Sequence, residues 1–294
     1  TPRAAVPTSP RVAPVTLPPP PPPFAYGTAP MLRGYMRPMS AELPRLQRPV
    51  TGFAAEQRLP LDPIHVPALR VHRIECVMPE TRDVLLVLYD EAAFRARVIP
   101  GSLMDVHRPV QPTRRLRPTM SKEVPVLIEG GLLTRIPRRQ ARMFMDLFKV
   151  RKDLRSARLI GNAVPQNECM LTPPSCELPA PPTIAHDCGG FRSFTVIDFR
   201  HYFYEFPLSE IVRRFFCVRD DDGSILAFSR MPMGWDHSMW IAQRVASAIA
   251  RLIMRAMRAY RVSVTAYVDG LIIRAHNHWL LLCSVLPTLF RLEL

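Results

Sequence analysis

The feature that most constrains this chain is its second half, where two short hairpin patterns flank one long amphipathic helix pattern. Phe194-Thr195-Val196-Ile197 is a β-rich run that closes on Asp198. Residues 207–214 suit a short helix. Residues 215–218 and 225–229 are apolar runs joined by Asp220-Asp221-Asp222-Gly223, a hairpin signal. Residues 236–260 read as a long helix with Asp236 or Ser238 as its cap. Ile241, Val245, Ile249, Leu252 and Ala256 form its apolar stripe. Arg244, Arg251, Arg255 and Arg258 form a basic stripe on an adjacent face. Residues 262–267 and 271–273 form a second hairpin, with Val268-Asp269-Gly270 at the tip, and a last helix is expected from about Asn277. A chain of this pattern is α+β.

The first half is less constrained. Of 33 prolines, 17 fall within residues 1–70, including a run from Pro18 to Pro23 that favours polyproline II. This stretch reads as a disordered Pro-rich arm, serving as a spacer or as a ligand for an SH3-like or WW-like partner. Residues 71–125 are a mixed segment with no chemistry assigned. Within it, residues 84–89 suggest a buried strand, and Val98-Ile99-Pro100-Gly101 a strand end and turn. Residues 138–150 could form a helix with Met143, Leu147 and Val150 facing inward, followed by a short strand around Arg158-Leu159-Ile160.

Charge narrows the partners. The formal net charge is +14, and 36 of the 39 basic residues are arginine. Residues 107–158 hold 14 Lys and Arg against four Asp and Glu. A basic surface attracts polyanions, and arginine suits bidentate contacts with phosphate. The six cysteines show no C-x-x-C pair and no zinc spacing, which favours a reduced intracellular setting, cytoplasmic or nuclear. No apolar run reaches the roughly 18 residues that a membrane span needs. The chain begins at Thr1 without a visible signal peptide, so a processed or fragmentary chain is expected.

The order of elements has a chemical consequence. A strand ending in Asp198 and a hairpin tip carrying Asp269 can meet at neighbouring strand ends. Two carboxylates there can hold a pair of Mg²⁺ ions, with Mn²⁺ as an alternative, about 3.5–4 Å apart. Mg²⁺ retains several waters, so few protein ligands suffice.

Asp198-Phe-Arg-His-Tyr-Phe-Tyr-Glu-Phe-Pro-Leu208 resembles motif A of reverse transcriptases. Met231-Pro-Met-Gly-Trp-Asp-His-Ser238, followed by Ile241-Ala-Gln243, resembles motif B. Tyr267-Val-Asp-Gly270 resembles motif C. Arg151-Lys152, Arg158-Leu-Ile-Gly-Asn162 and Asn167 resemble the fingers segment that grips the incoming triphosphate. The resemblance covers about 140 residues in register. Its flavour is that of LTR-like or tyrosine-recombinase retrotransposons.

This resemblance implies a right-hand polymerase palm and fingers over residues 126–294. It implies RNA-directed DNA polymerase activity on an RNA template and DNA primer, with deoxynucleotides as substrates and RNase H, integrase or recombinase as polyprotein partners. Asp198 and Asp269 would be the catalytic metal ligands. Arg151, Lys152 and Arg158 would bind the triphosphate. Phe203 would exclude a 2′-hydroxyl, its alternative being a plain core residue. Gln243 would act with the nucleotide site. Gly234 and Trp235 would shape the floor under the template, packing being the alternative for Trp235. Gly270 stands where the family carries its second Asp, and Met233, Met239 and Val164 are further departures. The catalytic reading is thereby weakened, and a non-catalytic nucleic-acid-binding remnant becomes the alternative. Nothing resembling a thumb or RNase H follows, so truncation before the thumb is expected.

Overall fold

A computed structural model describes residues 59–61, 69–105, 115–176, 178–277 and 285. All of them lie in the second of two units of the chain, residues 49–294. The rest of the proline-rich stretch and the helix expected beyond Asn277 lie outside the described residues, Val285 excepted.

The mixed α and β class holds, built from small antiparallel sheets. Strand β1 is Leu133–Arg135, β2 Asp146–Arg151, β3 Ala157–Asn162 and β4 Ser193–Asp198. Strand β5 is Cys217–Arg219, β6 Ile225–Phe228, β7 Ser263–Tyr267 and β8 Gly270–Ala275. They form a sheet of order β1-β6-β5, a β2-β3 ribbon and a sheet of order β4-β8-β7. Both hairpins expected in the second half are present, as β5-β6 and β7-β8.

The long helix spans Asp236–Ala256 and runs through the core. Ile241, Val245 and Ile249 are fully buried as the period requires. Toward its C-terminus the buried line continues in steps of four through Ile253 to Met257, leaving Leu252 half-buried and Ala256 exposed. Neither Asp236 nor Ser238 caps it. The Ser238 hydroxyl donates to the Pro232 carbonyl, and Asn167 Oδ1 accepts the Asp236 N–H. Among the described residues no helix is long and apolar enough to cross a membrane.

Two local expectations are corrected. Residues 84–89 are not a strand but most of a helix, Arg82–Tyr89, which buries Val84, Leu85, Val87 and Leu88. An apolar run of this length satisfies either period, and packing against neighbouring helices decides. Residues 138–150 are not a helix. A single 3₁₀ turn, Arg138–Gln140, leads into β2. The strand period buries Leu147 and Lys149 and turns Val150 outward. Lys149 is 2% exposed and answers its desolvation with Glu123 at 2.5 Å and the Leu59 carbonyl at 2.9 Å.

Residues 71–125, left without assigned chemistry by the sequence, contribute to the core. Ile74, Leu85, Phe94 and Met120 belong to the same hydrophobic core as Trp235 and Ile249. The 125/126 boundary cuts the helix Val124–Glu129. At the end of the supposed arm, Leu61 bridges Ala157, and the Leu69 N–H donates to the Glu205 carbonyl.

Candidate functional site

The antiparallel register of β4 and β8 sets Asp198 directly opposite Gly270. The Phe199 N–H donates to the Asp269 carbonyl at 2.8 Å, which closes the end of the sheet. Asp198 at the end of β4 and Asp269 in the β7-β8 turn therefore lie next to each other. Asp198 is exposed and Asp269 half-buried. Burial pushes the Asp269 carboxyl above its ordinary range, and the Asp198 charge adds to the rise; its own backbone N–H and Arg158 pull the other way. The structure thus brings Asp198 and Arg158 each within electrostatic reach of Asp269.

Arg158 comes from the β2-β3 ribbon, where it pairs with Val150. The turn of that ribbon is built on Asp153. Its Oδ1 accepts the N–H groups of Arg155 and Ser156, and its Oδ2 accepts the Ser156 hydroxyl. These bonds hold the Asp153 carboxyl below its usual range. They fix a tip from which Arg151, Lys152, Arg155 and Arg158 are all exposed. Along β3 the strand period alternates exposed Arg158 with buried Ala157 and Leu159.

The tip of the β7-β8 hairpin is set from beneath by Gln243. Its Nε2 donates to the Ala266 carbonyl and the Ser247 hydroxyl, and its Oε1 accepts the Val268 N–H at 2.6 Å. Gln243 is 3% exposed, with both ends of its amide engaged inside the protein. The sequence places it with the nucleotide; the structure makes it a support for the turn carrying Asp269. Val268, not Gly270, takes the left-handed backbone at this tip, with φ +50°. That is a costly state for a β-branched residue.

Trp235 does not form an open floor. It is 2% exposed, packs against Phe94, Phe216 and His237, and its Nε1 donates to Met170 Sδ at 3.1 Å. Gly234 is exposed and takes φ +111°. A Cβ there would lie 2.2 Å from the Gly161 carbonyl oxygen on β3, and the Gly161 N–H donates to the Met233 carbonyl. The segment before the long helix is thereby pressed onto the ribbon that carries Arg158. Asn167 joins the same two parts, donating to the Gly234 carbonyl and to Asp236 Oδ1. This clamp has no sequence signature, because its partners lie 67 and 69 residues away.

Phe203 is half-buried on the short helix Tyr202–Glu205 and packs against the core. Its neighbours hold that helix down: Tyr202 stacks on Phe199, and the Tyr204 hydroxyl donates to the Leu159 carbonyl. Burial drives the Tyr202 hydroxyl well above its normal pKa, and Glu205 and Asp269 add to this. Burial likewise pushes Glu205 up to about 7, while Arg230 pulls it down.

Among the described residues no third His, Cys, Asp or Glu joins the two aspartates as a metal-holding group. The donor set is two carboxylates, one solvent-facing, with Arg158 acting electrostatically on Asp269. It fits one hard divalent ion that keeps most of its water. No family model and no curated protein matches this chain.

Proposed function

We propose that this chain is the palm and fingers of a retroelement RNA-directed DNA polymerase, weakened at its metal centre by Gly270. The observation that carries the reading is the pairing of Asp198 with the Asp269 hairpin, with Arg158 of the β2-β3 ribbon near enough to act electrostatically on Asp269. Two carboxylates and a cation on converging elements suit a phosphoryl-transfer site, where positioning and charge neutralisation supply most of the catalysis. Asp198 and Asp269 would hold Mg²⁺ or Mn²⁺, which when bound polarises the phosphate oxygens and the primer hydroxyl. Arg151, Lys152 and Arg158 would bind the deoxynucleotide triphosphate, and Phe203 would border the sugar. Gly234 and the clamp at Asn167 would fix the floor relative to that grip, with Gln243 and Trp235 acting from below. RNA template and DNA primer are the macromolecular partners of this reading, with RNase H, integrase or recombinase as companions in a polyprotein.

Gly270 favours a second reading, a nucleic-acid-binding remnant that no longer polymerises. Its position opposite Asp198 leaves a shared metal centre short of one carboxylate. Primer extension on poly(rA)/oligo(dT), by this chain and by Gly270→Asp side by side, separates the two. Extension that rises in Gly270→Asp is the expected result. Silence of both proteins, with hybrid binding retained, selects the remnant. Absence of hybrid binding at low salt overturns both.

A further inference from the structure

Arg274 is a buried charge that the polymerase reading does not use. It lies on β8 four residues past Gly270 and is 0% exposed. Its Nη2 donates to Thr265 Oγ1 on β7. Its Nη1 is 3.6 Å from Asp187 Oδ2, an ion pair without a hydrogen bond, and the Asp187 side chain is 45% exposed. Nε and Nη1 find no acceptor among the described residues. Buried donors in native proteins are nearly always satisfied by protein, water or an ion. A guanidinium this incompletely compensated leaves net positive charge at its end of the sheet.

That end also carries an open cleft of about 400 Å³. Ser263 on β7 and Phe194 on β4 stand opposite Arg274. Two residues beyond that row, on the same side of it, are Arg261 and His276, and both line the cleft with Gly189, Gly190 and Phe191. The His276 ring stacks on Phe191 at 5.3 Å, which fixes one wall. Arg192, exposed, follows Phe191 in the chain. Arg261 and His276 therefore line the cleft, with Arg274 two residues before His276, and among the described residues Asp187 is the acid paired with Arg274.

We propose that this cleft binds a phosphate group, with Arg261 and His276 as direct donors and the Arg274 charge behind them. Arginine forks match phosphate geometry, and an uncompensated buried cation strengthens the field at the cleft. The phosphate can belong to a nucleic-acid backbone or be free in solution. From Gly270 to His276 the chain rises about 20 Å. A duplex strand seated on Asp198 and Asp269 would pass the cleft about six steps of 3.4 Å further along. The backbone source rests on the polymerase reading; the phosphate site itself does not.

The test uses the full chain, Arg261→Asn combined with His276→Gln, and Arg274→Met. Asparagine tolerates the left-handed backbone of Arg261, φ +50°, so the double variant keeps the fold. The first arm compares melting midpoints in sodium phosphate and in sodium chloride of equal ionic strength. The second measures anisotropy of a fluorescein-labelled RNA–DNA hybrid across a salt series. A phosphate-specific rise of about 2–4 °C in the parent chain, absent from the variants, identifies free phosphate as a ligand. A salt slope that falls by about 0.9 in the double variant identifies a backbone phosphate. Either result supports the site, and a phosphate response without hybrid binding keeps the site while removing the polymerase reading. An unchanged midpoint response together with an unchanged slope in the double variant overturns it. The double variant decides the matter even if Arg274→Met fails to fold.

Discussion

Gln243, buried in the long helix, accepts the backbone N–H of Val268 at 2.6 Å and so holds the turn that carries Asp269. The turn needs such a hold, because Val268 sits in a left-handed conformation that its branched side chain resists. The strain and its restraint belong to one unit, and the unit ends at the candidate metal ligand.

Replacing Gln243 with leucine should therefore cost about 1–3 kcal/mol, since the Val268 N–H and the Ala266 carbonyl lose their partner in a buried place. Urea denaturation reads the loss. The substitution Val268→Gly should recover about 1 kcal/mol by relieving the backbone. A Gln243→Leu protein with unchanged stability would show that the turn holds itself.

Gly270→Asp should fold with little penalty. Its φ is not left-handed, and a Cβ there meets the Ile197 and Tyr267 carbonyl oxygens at 3.6 Å, an ordinary contact. The added carboxylate should raise Mn²⁺ affinity, measured by titration calorimetry. Primer extension should increase by about 10²–10³, the scale of a single well-placed electrostatic group. Equal Mn²⁺ affinity in both proteins would remove Gly270 as the cause of weak activity.

Gly234→Ala should be among the most damaging single changes. The new methyl would meet the Gly161 carbonyl at 2.2 Å on a backbone at φ +111°. The two segments would have to part, at about 3 kcal/mol or more. Gly223→Ala, with φ +89° and open space around it, should cost only the backbone strain of about 1–2 kcal/mol. Thermal melts of the pair test this order.

Glu205 makes stability depend on pH in a defined direction. Burial raises its folded pKa from 4.5 to about 7, with Arg230 opposing. A carboxyl raised on folding is protonated in the native state, so its contribution is full below the unfolded value and lost as pH rises through about 7. Glu205→Gln should match the parent chain at pH 4 and exceed it at pH 8 by about 1–3 kcal/mol. Urea midpoints at the two pH values give the difference. Equal midpoints at pH 8 would show that Arg230 compensates Glu205 fully.

Binding to an RNA–DNA hybrid should weaken steeply with salt, because phosphate contacts release counterions. Arg151, Lys152 and Arg158 project from one ribbon tip, so neutralising them should weaken nucleotide binding more than hybrid binding. Competition between a labelled nucleotide and the hybrid measures the split. Equal losses would place these residues on the duplex path instead.

The sequence by itself determined the second half of this protein to a large extent. The run closing on Asp198, the Asp220 to Gly223 turn, the long helix and the hairpin around Asp269 are local patterns of period 2 or 3.6, each bounded by turn residues. Such patterns need no knowledge of the partner surface, because the chain's own alternation says which side is buried. The tertiary structure alone decided the rest. Residues 84–89 suit either period, and only their neighbours make them a helix. Lys149 reads as surface charge until Glu123 and the Leu59 carbonyl, 26 and 90 residues away, meet it inside. Gln243 reads as a ligand of the nucleotide until the Val268 turn closes over it. At the hairpin tip the β4-β8 register holds Gly270 in the strand, and the left-handed position falls to Val268. A local rule names what a residue tolerates, and the long-range pairing chooses which residue must tolerate it.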